Sequence, residues 1–446
     1  MKRFIDTIKN IWNIEELREK ILLTLGLLLI YRLGSNVVLP GIDTNSLAEL
    51  QNQASDGLLG ILNAFTGGAF ANASILALGI MPYISASIVI QLLGMAVPTI
   101  QKMQKEGESG RRKLNQITRV LTIAITGAQA PGYIANLTQQ NVAITINPQL
   151  FWITAIIVLT AGTIFAMWLG ERITDKGIGN GISLLIMVGI IASLPQAFAQ
   201  ELVSKFESQG GGLVLFIVEI AALLVVILLS VALVQAVRRV PVQYAKRTTG
   251  GRTFTGNMAR QYIPLKVNAS GVMPIIFAQA IMFIPIQVLT MSGLESGNAN
   301  WLVSIFSDIQ GFGYNLVFAL LIILFTYFYT AIQVNTNQMA EDLKRNGGFV
   351  PGIKPGKATA EFLDTVLSRI TLPGSIFLAA LAILPAFAMA AGVNTQFAYF
   401  YGGTSLLIMV GVVLDTLQQI ESYLLNRHYD GLMKSGKLKG RAVSAF

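Results

Sequence analysis

Apolar runs of about twenty residues recur along this chain, separated by polar stretches. Ten of them reach the ~20 residues that a helix needs to cross a bilayer core of ~30 Å. They are 21–39, 74–97, 117–136, 150–169, 180–200, 213–237, 267–290, 313–334, 370–390 and 400–425. The third and fifth carry Pro131 and Pro195 near their outer ends. Ahead of the first, residues 4–17 put Phe4, Ile8, Ile11 and Trp12 on one helical stripe, the pattern of an interfacial helix on a membrane surface.

The polar stretches fall into two kinds. Thirty of the 32 Lys and Arg residues lie in 1–20, 98–119, 171–181, 238–266, 336–369 and 427–446. By contrast 40–73, 131–149, 291–312 and 386–399 hold none, and 194–212 holds only Lys205. Basic and bare stretches alternate across the ten runs. Cytoplasmic loops retain Lys and Arg, so the alternation sets the topology: many spans, with both termini in the cytoplasm. Ten spans divide into five plus five of opposite orientation, which allows an inverted repeat. The halves show no clear sequence identity.

Composition agrees. The chain has 446 residues, 53% apolar and 12% charged, against roughly 25% charged in soluble proteins. The expected fold is an all-α polytopic membrane protein of ten transmembrane helices. Its parts are a cytoplasmic interfacial helix (1–20), an N-terminal half (21–200), an outer connection (201–212), a C-terminal half (213–425) with cytoplasmic loops 238–266 and 336–369, and a cytoplasmic tail (426–446). No small-residue cleavage site follows the first apolar run, so the first span is expected to act as its own insertion signal. Cysteine is absent and histidine occurs once, as His428. Disulfides, thiolate chemistry and His-based metal centres are thereby excluded, and no cofactor or metal is expected. The net charge of +9 favours anionic lipid and acidic docking partners such as ribosomal RNA.

One segment breaks the rhythm. No charge occurs between Asp56 and Lys102, about twice the length of a span. GLLGILNAF (57–65) precedes Thr66-Gly67-Gly68, and a long helix is expected from about Ser74. Ser55 or Asp56 can cap the first piece and the glycine pair can end it. About ten helical residues reach only ~15 Å, half a bilayer. Two readings stay open: an outer-surface helix resting on the bundle, or a short helix folded into a central vestibule, where non-helical backbone is tolerated.

Ionisable groups are scarce inside the spans. Arg32, Glu219, Asp415 and Glu421 either pair or snorkel to the interfaces. No midplane carboxylate cluster marks a proton or sodium site, no constellation supports an enzyme, and no phosphate-binding loop of the Walker type occurs. An ion-coupled transporter and an intramembrane enzyme are both disfavoured.

Six motifs in order resemble the SecY family, the channel-forming subunits of the bacterial protein translocon. They are FTGGAFANASILALGIMPYISASIVIQLL (65–93), KEGESGRRK (105–113), GERITDKGIGNGIS (170–183), IPLKVNASGVMPIIFA (263–278), FVPGIKPGKAT (349–359) and YGGTSLLI (401–408). The resemblance runs nearly end to end. It implies two five-helix halves around an hourglass pore that opens sideways to lipid, in a bacterial inner membrane, passing unfolded secretory chains and releasing apolar segments laterally. Carried over by motif, the pore ring is Ile80, Ile84, Ile182, Ile186, Ile276 and Ile408. A plug spans about 57–72, with Leu58, Leu62, Asn63, Phe65, Gly67 and Gly68. Gln91 and Asn268 match polar positions at the lateral gate between the second and seventh helices. Lys246, Arg247, Arg252, Lys344, Arg345, Lys354 and Lys357 match the docking surface for the ribosome and the SecA ATPase motor. SecE-type and SecG-type small subunits are implied as partners. Two departures stand out: Lys354 where the family usually has Arg, and Gly251 where a second basic residue often occurs.

Overall fold

Each of the ten apolar runs contains a helix, but few helices keep the expected bounds. The computed structural model describes residues 12, 14–47, 60, 63, 65–139, 142–207, 212–244, 261–292 and 310–434. Within them the helices are α1 (Glu15–Gly34), α2 (Met81–Ala96), α3 (Pro98–Lys105), α4 (Glu108–Gln139), α5 (Pro148–Lys176), α6 (Gly181–Glu207), α7 (Gly212–Gln235), α8 (Met273–Ser292), α9 (Phe312–Gln333), α10 (Thr336–Arg345), α11 (Lys357–Ala390), α12 (Thr395–Ala398) and α13 (Gly403–Lys434). Among the described residues six stretches are long and apolar enough to cross a membrane: α5, α6, α7, α9 running into α10, α11 and α13. The pair α2–α3, bent by 104° at Val97, would make a seventh. The chain is a multi-pass membrane protein.

Local chemistry sets several of these ends. The Asn147 side chain accepts from the Gln149 N–H at 3.2 Å to cap α5, with Pro148 in its first turn. Asn180 does the same for α6, accepting from Ile182 at 3.2 Å and Ser183 at 3.3 Å. Pro131 and Pro195 do not end their helices; α4 and α6 continue past them, and residues 201–207 of the expected outer connection are helical. The interfacial stripe at Phe4, Ile8 and Ile11 lies outside the described residues.

An all-α fold is not what forms. β1 (Val237–Tyr244) and β2 (Gln261–Lys266) pair antiparallel, from Val237 opposite Lys266 to Val242 opposite Gln261. β3 (Gly348–Phe349) pairs with the end of β1 at Gln243 and Tyr244. Two basic stretches that look like separate loops thus share one three-stranded sheet. The cause is a period-two pattern that the arginines hide: Val240 and Val242 face inward while Pro241 between them and Arg239 and Gln243 beside them face out. With Leu265, Leu343, Val350 and Leu363 they form the sheet's own apolar core against α10 and α11.

The chain falls into two units, Met1–Gln196 with Val412–Phe446, and Ala197–Gly411. In the first, Phe70, Tyr133, Ile134, Leu137, Phe151 and Leu159 anchor the core. Arg119 on α4 grips Glu171 on α5 with two hydrogen bonds of 3.1 and 2.6 Å. The late part of α13 belongs here too. Its Gln419 accepts from the Gly179 N–H at 2.9 Å, and its Tyr423 accepts from Lys20 Nζ at 2.8 Å. That bond, helped by Glu16 at 3.1 Å, raises the Lys20 pKa.

In the second unit, Phe277 of α8 packs on Phe325 and Tyr329 of α9 with ring centroids 5.7 and 5.6 Å apart. A buried ion cluster holds the junction of α6 and α7. Lys205 Nζ lies 2.9 Å from Glu219 and 3.4 Å from Glu201, with side-chain exposures of only 11%, 8% and 0% respectively. Glu201 also accepts from the Asn394 N–H at 2.9 Å, and Lys205 donates to the Gly392 carbonyl at 2.9 Å. Glu219 therefore pairs with the one basic residue of the 194–212 stretch. Two carboxylates face one ammonium out of water, so removing the ammonium leaves uncompensated charge. Lys205→Met is expected to lower stability by about 3–5 kcal/mol, measured by reversible denaturant unfolding in detergent. A loss below about 1 kcal/mol, the worth of an exposed pair, would show that water reaches the cluster.

Candidate functional site

The segment that breaks the sequence rhythm also breaks the helical pattern. A helical turn through Thr66 closes at Gly67, whose φ of 64° favours a residue without Cβ. The Gly68 N–H then reaches back to the Asn63 carbonyl at 2.9 Å, the six-to-one bond of a Schellman end. Asn63 Oδ1 accepts from the Ala71 N–H at 3.0 Å, and Thr66 Oγ1 from the Phe70 N–H at 3.2 Å. The glycine pair ends the turn, but no long helix begins at Ser74. Turns continue to Ile80 and α2 starts at Met81. The reason is local competition. Ser74 forms a bridge with Val38, the Ala73 carbonyl accepts from Leu39 and the Ile75 N–H donates to Val37, both at 2.9 Å. Backbone groups that a helix would use are spent on the strand-like residues that follow α1.

This non-helical backbone is enclosed by protein. Arg32 Nη1 donates to the Gly67 carbonyl at 2.7 Å, and the Tyr133 hydroxyl to the Phe70 carbonyl at 2.9 Å. The Phe70 and Tyr133 rings meet edge to face at 4.9 Å. On α6, Gly189 admits the segment so closely that a Cβ there would lie 2.7 Å from the Phe65 carbonyl oxygen. Arg32 pairs with no carboxylate among the described residues; it holds a backbone carbonyl. Asn63, Phe65, Gly67 and Gly68 lie in this arrangement, while Leu58 and Leu62 lie outside the described residues.

The six isoleucines share a position in the fold. Ile80 is the N-cap of α2 and Ile84 lies one turn on. Ile182 and Ile186 occupy the first two turns of α6, Ile276 the first of α8 and Ile408 the second of α13. Every one sits at the N-cap or within the first two turns of a helix. Ile182 also packs on α5, where a Cβ on Gly170 would meet its Cγ1 at 2.9 Å.

Two of these beginnings are copies. Gly79-Ile80-Met81-Pro82-Tyr83-Ile84-Ser85-Ala86 and Gly271-Val272-Met273-Pro274-Ile275-Ile276-Phe277-Ala278 share Gly, Met, Pro, Ile and Ala in register. Both glycines have positive φ, 52° and 64°, and both prolines fall in the first turn, where the missing N–H costs nothing. Asn72-Ala73-Ser74 and Asn268-Ala269-Ser270 precede them, the first with four extra residues before its glycine. The match is confined to these residues, and four extra residues offset what precedes it.

The other candidates are placed as follows. Gln91 lies on α2 and donates to Ser87 Oγ at 3.2 Å. Asn268 is not on a helix; it is buried in the turns before α8, where Ser270 Oγ donates to its Oδ1 at 3.4 Å. Lys344 and Arg345 end α10, Lys354 and Lys357 lead into α11, and all four are exposed. Lys246, Arg247 and Arg252 lie outside the described residues. Among the described residues no group of His, Cys, Asp or Glu could hold a metal ion.

A family model described as SecY matches residues 74–417. The chain belongs to the SecY family. The SecY protein translocase subunit of Streptomyces scabiei is 42% identical, over 94% of this chain and 97% of that protein. That of Bacillus licheniformis is 46% identical, over 96% of this chain and 99% of that protein. Among solved structures, one of a protein conducting channel superposes with a TM-score of 0.64 at 19% identity, covering 96% of this chain and 94% of the other. Sec61 in a canine ribosome–channel complex gives 0.59 at 18%, with the same coverage. As a SecY-family protein the chain is the protein-conducting channel subunit of the Sec translocon, and it is not an enzyme.

In this SecY-family chain the seat at Gly189 is the sharpest structural test of the broken segment. A methyl group there must displace the Phe65 carbonyl, and overpacking of this kind costs about 1–3 kcal/mol. Gly189→Ala should raise amide hydrogen exchange at residues 66–74 by roughly tenfold and leave α4 and α5 unchanged. Unaltered exchange at 66–74 would mean that the segment is not seated on α6.

Proposed function

We propose that ten spans form two five-helix halves and that the isoleucine-bearing helix beginnings together line one constriction. The observation that carries this is the repeat. α2 runs toward the basic stretch 98–119 and α8 away from the basic stretch 238–266. If basic stretches are cytoplasmic, the two copies enter from opposite faces, and each begins within the membrane. Ile80, Ile84, Ile182, Ile186, Ile276 and Ile408 then form an apolar ring. Such a ring dewets when empty and blocks ions. It offers no fixed hydrogen bonds, so an unfolded chain of any sequence can slide.

Residues 57–72 act as a plug beneath the ring. Gln91 and Asn268 flank a lateral gate between α2 and α8. An interhelical hydrogen bond in a membrane is worth only ~0.6–2 kcal/mol, which the packing of a signal helix can replace. The sheet and the exposed Lys344, Arg345, Lys354 and Lys357, with Lys246, Arg247 and Arg252, dock the ribosome and a SecA-type motor. Support for the ribosome comes from similar channels solved in ribosome complexes, Sec61 and the yeast Ssh1 complex. Lys354 supplies a point charge where Arg would supply a planar fork, so its motor contact is not bidentate. SecE-type and SecG-type subunits, nascent polypeptides and anionic lipids complete the partners. Both termini face the cytoplasm of a bacterial inner membrane.

Deleting residues 58–70 should raise ion conductance through reconstituted channels at least severalfold in planar bilayers. Unchanged conductance would falsify the plug.

A further inference from the structure

We propose that Arg32 is the anchor of the broken segment: its bond to the Gly67 carbonyl holds the upstream end of that segment in its seat. This rests on the plug reading only for its consequence, ion leak; the anchoring itself is independent of it.

Three observations carry the inference. First, Arg32 and Lys205 are the only Lys or Arg residues outside the six basic stretches, so topology does not account for Arg32. A cation within an apolar run is costly and calls for a local partner. Among the described residues that partner is no carboxylate; Arg32 Nη1 meets the Gly67 carbonyl at 2.7 Å, the length of a charge-assisted bond. Second, the contact is built on backbone. A Cβ on Gly67 would lie 2.7 Å from Arg32 Nη1 and 2.7 Å from Gly189 Cα. Glycine at 67 and at 189 is what lets the guanidinium and α6 close on the carbonyl from two sides. Third, the remaining ties act downstream. Tyr133 holds the Phe70 carbonyl, and residues 37–39 hold Ala73 and Ile75. Upstream of Gly68, Arg32 bonds to the segment's backbone from outside it.

A neutral acceptor suits a reversible anchor. Breaking an ion pair in this setting would strand two charges, whereas breaking this bond frees one guanidinium. Water, or the backbone carbonyl of a passing polypeptide, offers it the same acceptor chemistry. The segment can therefore leave without a buried counter-charge being abandoned.

The chain has no cysteine, so one introduced thiol reports alone. Thr66, 2% exposed, is replaced by cysteine in one series. Thr122, fully buried in α4, is replaced in a control series. Each is combined with Arg32→Leu and Arg32→Lys in the full chain, and maleimide alkylation is timed in membrane vesicles. Loss of a charged hydrogen bond should speed alkylation at position 66 roughly tenfold to a hundredfold. Arg32→Lys, which keeps a cationic donor, should restore part of the protection, and position 122 should not respond. An unchanged rate at 66, or a parallel rise at 122, overturns the proposal. In the second case Arg32 serves the stability of the whole unit. Faster alkylation at 66 with unchanged ion conductance leaves the anchor standing and removes the plug.

Discussion

Backbone that leaves a helix inside hydrocarbon must have every N–H and C=O satisfied by protein or by water in a cavity. Under the proposed topology that constraint falls on residues 65–80 and on the turns before α8. The first unit meets it with Arg32, Tyr133 and the strand-like residues 37–39. The second meets part of it through the Val267 N–H, which donates to the Ala236 carbonyl at 2.9 Å. Once these irregular pieces are held, two helices can begin within the membrane rather than at its surfaces. Both begin at a glycine of positive φ followed by a proline in the first turn.

That arrangement suits conduction better than binding. A transporter needs fixed charges or dipoles at its midplane to hold a substrate. Here charged groups are engaged by the protein itself: Lys205 pairs with both Glu201 and Glu219 at the α6–α7 junction, and Arg32 holds a backbone carbonyl. What remains along the helix beginnings is branched and apolar, with nothing to distinguish one unfolded polypeptide from another. The free energy for movement must come from a partner, and the sheet built from two basic stretches has the rigidity that a docking surface needs. Its core of Val240, Val242, Leu265, Leu343, Val350 and Leu363 packs it against α10 and the start of α11.

Much of this was legible in the sequence, for identifiable reasons. The multi-pass character came from the long apolar runs, a signal that needs no packing. The family came from long ordered motifs. The Schellman end at Gly67 and Gly68 followed from glycine chemistry alone. Other features needed tertiary context. Residues 74–80 read as helix because they are apolar and carry Ala and Leu; the pairing of Ser74 with Val38 overrode that propensity. β1 was hidden because Arg238 and Arg239 drew attention to charge while Val240 and Val242 carried the strand period. The repeat around Met81 and Met273 was missed because four extra residues offset it. The partners of Arg32 and Glu219 could not be read at all, since each lies far along the chain or on the backbone.

The central claim is that isoleucines at these helix beginnings surround the path of a translocating chain. Photoreactive probes at Ile84, Ile276 and Ile408, with a secretory polypeptide stalled midway, test it most directly. The account predicts strong crosslinks from all three positions and weak ones from Leu228 and Leu320, exposed faces of α7 and α9. Crosslinks at Leu228 and Leu320 equal to or stronger than those at the isoleucines would contradict it.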